Sequence, residues 1–154
     1  MEVPSHLKLS VLSCILLLSS SQIHATRVKY CEKQGDYAVK VIGVEISPDP
    51  VIRGKPATFE ISAATGEPIS GGKVIIEVSY FGVHVHTETH DLCEEASCPV
   101  TAGNFVLAHT QTLPSFTPPG SYVLKMTMED EKDEQLTCIN FNFTIDFGST
   151  VSNI

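Results

Sequence analysis

Residues 135–147 read Q-L-T-C-I-N-F-N-F-T-I-D-F, with Ile139, Phe141, Phe143 and Ile145 alternating against Asn140, Asn142 and Thr144. A period of two places the apolar set on one face of an extended strand and the polar set on the other. The same alternation recurs upstream. In 56–63 (PATFEISA), Ala57, Phe59, Ile61 and Ala63 oppose Thr58, Glu60 and Ser62, and in 121–130 Tyr122, Leu124, Met126 and Met128 share a face. Further strands are expected at 37–47, 73–90 and 104–113, separated by Pro48-Asp49-Pro50, Arg53-Gly54, Thr65-Gly66-Glu67-Pro68, Gly71-Gly72 and Thr117-Pro118-Pro119-Gly120. From Thr26 onward there is no helical periodicity of useful length and no internal repeat. Six or seven strands at this spacing predict an all-β chain, an immunoglobulin-like two-sheet β-sandwich. An antibody-type domain is disfavoured by the absence of Trp and by the cysteine spacing.

The run 73–90 is the irregular one. Val74, Ile76, Val78 and Tyr80 share one parity, whereas Val83 and Val85 have the other. As a single strand it needs a bulge near Phe81-Gly82 to turn both sets inward, and a break there would splay the two sheets.

The 154 residues carry 10 Lys+Arg against 18 Asp+Glu, a formal charge of −8, with 42% hydrophobic residues. These values describe one ordinary globular domain. With no basic run to neutralise phosphates, nucleic acid is a poor partner. The N-terminus places Lys8 before an apolar stretch, Leu9 to Leu18, followed by a polar segment and Ala25. That order predicts a secretory signal peptide over 1–25 and a single domain over 26–154, the apolar stretch being about half of what a membrane-spanning helix needs.

Removal of that segment takes Cys14 with it and leaves Cys31, Cys93, Cys98 and Cys138 in an oxidising route. Three pairings are open to four cysteines. Loop closure favours Cys93 with Cys98, a short ring, and Cys31 with Cys138, which ties the start of the domain to its end. No C-x-x-C is present, and Cys-x4-Cys lacks the second pair that a zinc site needs.

The stretch His84-Val85-His86-Thr87-Glu88-Thr89-His90 offers a competing, metal-dependent chemistry. In one extended strand His84, His86, Glu88 and His90 share a face, and paired imidazoles bind Zn or Cu. A cupin-like enzyme also uses H-x-H followed by an acid, but at that spacing His90 and Asp91 stand where the acid belongs. If Val83 and Val85 face inward, the histidines form an outer, solvated face, so no metal ligand is assigned. No other catalytic residue is assigned either. G-x-S-x-G is absent, and the acidic segment from Met128 to Gln135 lacks EF-hand spacing. Asn142-Phe143-Thr144 is an N-glycosylation sequon with Asn142 on the outward parity.

Five segments together resemble a known family: Tyr30-Cys31-Glu32, then I-x-P-D-P-V-x-R-G-K from Ile46, D-L-C-E-E-A-S-C-P-V from Asp91, P-P-G-S-Y from Pro118, and L-T-C-I-N-F from Leu136. The chain from Thr26 to Phe147 is similar to the ML lipid-recognition domains. These include the soluble sterol-transfer protein of Niemann-Pick type C disease and the phosphatidylglycerol/phosphatidylinositol transfer proteins. The H-V-H-T-E-T-H stretch is most like plant members. The resemblance implies a non-enzymatic carrier without cofactor, holding one sterol or phospholipid in an apolar pocket between the sheets. Carried over by strand position, the lining is Phe59, Ile61, Val83, Val85, Tyr122, Leu124, Met126, Phe141 and Phe143, and the entrance is formed by Phe116, Thr117 and Pro118. Aromatic residues that the family places at the lip and on the third strand fall here on Thr117 and Val85, which leaves room for a bulkier lipid. A third disulfide of the animal sterol carrier is missing near Asp49. The resemblance further implies a monomer that docks transiently with a membrane or membrane protein, in the extracellular space or a vacuole- or lysosome-like compartment. A ligand-free β-sandwich interaction module fits composition and periodicity equally well.

Overall fold

The computed structural model describes residues 25–148. Nine strands and one helical turn follow in order: β1 Val28–Tyr30, β2 Val39–Ser47, β3 Val51–Ile52, β4 Pro56–Thr65, β5 Gly72–Tyr80, β6 Val83–Asp91, α1 Leu92–Glu95, β7 Gly103–Thr112, β8 Gly120–Asp130 and β9 Gln135–Asp146. They form two sheets, one ordered β1-β9-β8-β5-β6 with β3 running parallel beside β9, the other ordered β2-β4-β7. All other pairings are antiparallel. The expected signal peptide, apart from Ala25, lies outside the described residues.

Strict alternation produces the sandwich. Ala57, Phe59, Ile61 and Ala63 of β4 are buried, as are Tyr122, Leu124, Met126 and Met128 of β8 and Ile139, Phe141, Phe143 and Ile145 of β9. These sets face each other between the sheets and form one apolar cluster. Asn142 stands on the opposite, exposed face of β9.

The run 73–90 departs from its expected form. It is a hairpin rather than one bulged strand, because Phe81 and Gly82 turn the chain with φ of 50° and 75°. Two central residues in the left-handed region give the two-residue turn whose twist suits antiparallel strands. Gly82 adopts that conformation freely. Phe81 adopts it against the preference of a side chain, and no Asn-Gly signal marked the turn in the sequence. The register shift lies elsewhere. His86 pairs with Val78 and His84 with Ser79, so Val85 is the extra residue of a β-bulge.

β1 and β3, of three and two residues, were missed because neither is long enough to show a period; each exists only by pairing with β9. A disulfide joins Cys31, just after β1, to Cys138 of β9, and the Cys31 amide donates to the Cys138 carbonyl at 3.0 Å. The second disulfide, Cys93–Cys98, closes the segment around α1, whose first turn is capped by Asp91 accepting from the Cys93 amide at 2.8 Å. The acidic tip after β8 is a turn organised by Asp130, whose Oδ1 accepts from the amides of Lys132 and Glu134.

Candidate functional site

Between the sheets lies a cavity of about 510 Å³, in the range typical of small-molecule sites. Its walls are Phe59, Ile61 and Leu107 from one sheet and Val74, Ile76, Val78, Tyr80, Tyr122, Leu124, Met126, Phe141, Phe143 and Ile145 from the other. Phe116, Thr117 and Pro118 lie at its mouth with Val85. Eight of the nine expected wall residues therefore surround one space. Val83 does not; it is 63% exposed on the hairpin outside the lining. Val83 pairs with Tyr80 next to the two-residue turn, so it stands at the hairpin tip beyond the rim, whereas the bulge brings Val85 and His86 to the cavity.

Aromatic rings run from the hairpin tip across the wall. Tyr80 packs edge-on to Phe81 at 4.4 Å between centroids and stacks on Tyr122 at 4.5 Å, Tyr122 stacks on Phe143 at 5.5 Å, and Phe143 meets Phe59 of the other sheet at 5.4 Å. The same tyrosines fix the mouth. Tyr122 donates its hydroxyl to the Pro118 carbonyl at 2.7 Å and Tyr80 to that of Pro119 at 3.0 Å, while Arg53 Nη1 donates to the Thr117 carbonyl at 3.1 Å. Proline has no amide hydrogen, so this lip has few backbone donors of its own and is held by side chains reaching from the sheets. Tyr80→Phe and Tyr122→Phe are each expected to lower stability by about 1 kcal/mol, read from the urea unfolding midpoint. Unchanged midpoints in both variants would show that the lip stands without them.

One stretch of the wall is polar. Cross-strand partners share a face, so His90, Glu88 and His86, opposite Val74, Ile76 and Val78, lie on the inner side of β6. This overturns the expectation that the histidines form an outer, solvated face. His84 alone is displaced by the bulge, and its Nε2 pairs locally with Thr87 Oγ1 at 2.7 Å. From the other sheet His109 and Gln111 of β7 meet this group. His109 Nδ1 lies 3.2 Å from both carboxylate oxygens of Glu95, and His109 Nε2 lies 3.1 Å from Gln111 Oε1 and 3.3 Å from Glu88 Oε1. Burial works against ionising Glu88, but the imidazoles of His86, His90 and His109 outweigh it and hold the carboxyl below its ordinary value. His109 is the converse: burial disfavours its charge, yet Gln111, Glu95 and Glu88 raise its pKa above the usual imidazole value.

The sequence profile of the ML domain matches residues 25–145. The chain belongs to the ML domain family. It is 32% identical to the MD-2-related lipid-recognition protein ROSY1 of Arabidopsis thaliana, over 89% of this chain and 88% of that one. It is 30% identical to a phosphatidylglycerol/phosphatidylinositol transfer protein of Mycosarcoma maydis, over 74% of this chain but 62% of that longer one. A Niemann-Pick type C2 protein from Japanese carpenter ant has the same fold, with a TM-score of 0.63, 19% identity, and coverage of 78% of this chain and 99% of that one.

In this ML domain much of the apolar wall was legible as inward parity, but Leu107 and Tyr80, and the polar His109 and Gln111, were among the lining residues not assigned. Tyr80 was visible on the parity of Val74, Ile76 and Val78. His109 and Gln111 follow Phe105 and Leu107 at intervals of two, so polar residues at inward positions of β7 were the available signal.

Proposed function

We propose that this ML domain is a non-catalytic carrier that takes one sterol or phospholipid into the cavity between its sheets and exchanges it with membranes. The observation that carries the reading is the cavity itself, about 510 Å³ and lined mainly by apolar side chains. A lipid tail is retained there by leaving water, at roughly 25 cal/mol per Å². The polar stretch around Glu88 and His109 gives the same space one end suited to a head group. The relatives named for lipid recognition and lipid transfer support the assignment. Two disulfides and the N-terminal segment support passage through the secretory pathway to an extracellular or vacuole-like compartment. Asn142, exposed on β9, is the proposed glycan site.

Docking uses the mouth. Phe81 and Phe116 are 84% and 83% exposed, and Val83 and Val85 lie exposed beside the same rim. Inserting two phenyl rings into a bilayer contributes a few kcal/mol, so Phe81→Asp with Phe116→Asp is expected to slow lipid transfer between vesicles about tenfold or more. Equilibrium binding of lipid in solution should change far less, because Phe81 lies outside the lining and Phe116 meets it only at the mouth. Equal transfer rates would remove the rim from the mechanism.

The carrier reading is tested by mass spectrometry of an organic extract of the purified protein, with titrations of a fluorescent sterol and a fluorescent phospholipid. One bound lipid, or saturable binding of either probe, is expected. An empty extract together with no binding of either probe would leave the ligand-free interaction module as the better account.

A further inference from the structure

We propose that Glu88, His90 and His109 form a zinc site that clasps the edge of one sheet to the edge of the other. Glu88 and His90 come from β6, the edge of the larger sheet, and His109 from β7, an edge of the smaller one. One ligand atom from each residue lies within 4.8 Å of the other two. Two of these separations are closer still: Glu88 Oε1 lies 3.4 Å from His90 Nε2 and 3.3 Å from His109 Nε2. Tetrahedral Zn²⁺ with bonds of about 2.0–2.1 Å sets its ligand atoms about 3.3–3.4 Å apart, so these two edges already have the spacing of a bound ion. The third edge, between the imidazoles, closes by rotation of His90, which keeps 26% of its side chain exposed.

The surrounding contacts favour an ion over a hydrogen-bond network. His90 Nε2 is buried and has no hydrogen-bond partner among the described residues; Glu88 Oε1 is near it but not aligned with it. An unpaired buried nitrogen carries a desolvation cost that a metal bond removes. Glu88 Oε2 is occupied by His86 Nε2 at 3.3 Å and by the Gln111 amide at 3.4 Å, which leaves Oε1 to point at the two histidines. Glu95 grips His109 Nδ1 through both oxygens, the carboxylate–histidine arrangement that orients a metal-bound imidazole. Binding replaces the proton that His109 Nε2 now shares with Gln111 Oε1. Two imidazoles and a carboxylate suit Zn²⁺ better than Ca²⁺ or Mg²⁺, which take oxygen donors.

The site shares Glu88 and His109 with the polar end of the cavity, but its test needs no lipid. Purified protein stripped with EDTA is titrated with Zn²⁺ by calorimetry, and metal content is measured after gel filtration. One equivalent is expected, with a rise in melting temperature that grows with free Zn²⁺. Glu88→Gln, His90→Ala and His109→Ala should each weaken binding at least tenfold, and Glu95→Gln about tenfold through His109. His84→Ala should bind as the parent does. Circular dichroism separates loss of binding from loss of fold, and Co²⁺ in place of Zn²⁺ reports tetrahedral geometry by its visible absorption. No stoichiometric uptake at micromolar Zn²⁺, or equal loss in His84→Ala and His109→Ala, overturns the proposal.

Discussion

Leu107→Trp is expected to weaken lipid binding about a hundredfold while leaving the protein folded. Leu107 is 1% exposed in the middle of β7 and forms part of the cavity wall. An indole there extends into space that the lipid needs. Displacing three or four buried methylenes of ligand costs about 3 kcal/mol at roughly 0.8 kcal/mol each, which is about two orders of magnitude in affinity. In a filled core the same change would add the strain of overpacking, about 1–3 kcal/mol, but here the cavity receives the ring. Fluorescent-lipid titration measures the binding loss and urea unfolding the stability. Lys73→Ala is the matched control, since Lys73 sits outside the cavity wall and pairs with Glu129 and Asp133. If Leu107→Trp binds as tightly as the parent, the ligand does not occupy this cavity.

The largest expected loss of stability comes from the long disulfide. Cys31 and Cys138 are 107 residues apart in sequence, whereas Cys93 and Cys98 are separated by five. In the chain-entropy account the first constrains the unfolded chain by about 5 kcal/mol and the second by about 2 kcal/mol. The double variant Cys31→Ala, Cys138→Ala is therefore expected to be about 4–5 kcal/mol less stable, and Cys93→Ala, Cys98→Ala about 2 kcal/mol less. Urea unfolding of the two variants beside the parent measures the order. The reverse order would mean that the β1–β9 pairing already does the work assigned to the bridge.

The two predictions draw on parts of the molecule that were legible to different degrees. Phe59, Ile61, Phe141 and Phe143 could be placed because their strands alternate strictly and lie between partners on both sides. Parity failed on β6 because a single inserted residue, Val85, shifts every side chain on one side of it relative to the other. The turn at Phe81-Gly82 was hidden as well, since phenylalanine between tyrosine and valine continues a strand pattern in a local reading. Without that turn, His86, Glu88 and His90 could not be paired with Val78, Ile76 and Val74, and their inward direction was lost. The Glu88–His109 contact spans two sheets and has no signature in either strand taken alone. The mouth was readable as proline punctuation, yet its fastening by Tyr80, Tyr122 and Arg53 depends on distances that only the folded chain defines.

β6 and β7, which flank the polar side of the cavity, each end a sheet, with no strand beyond them among the described residues. Such rims are templates for unwanted pairing between copies, the first step toward fibrils and precipitates. β6 carries features that blunt this hazard: His84, His86, Glu88 and His90 interrupt its apolar residues, and the extra residue at Val85 spoils the flat ladder that a second chain would need. The departure from simple alternation that hid β6 from a sequence reading is therefore also its protection against self-association. Deleting Val85 would restore a regular ladder along that rim, and a shift toward higher-order species in light scattering is the outcome that reasoning anticipates.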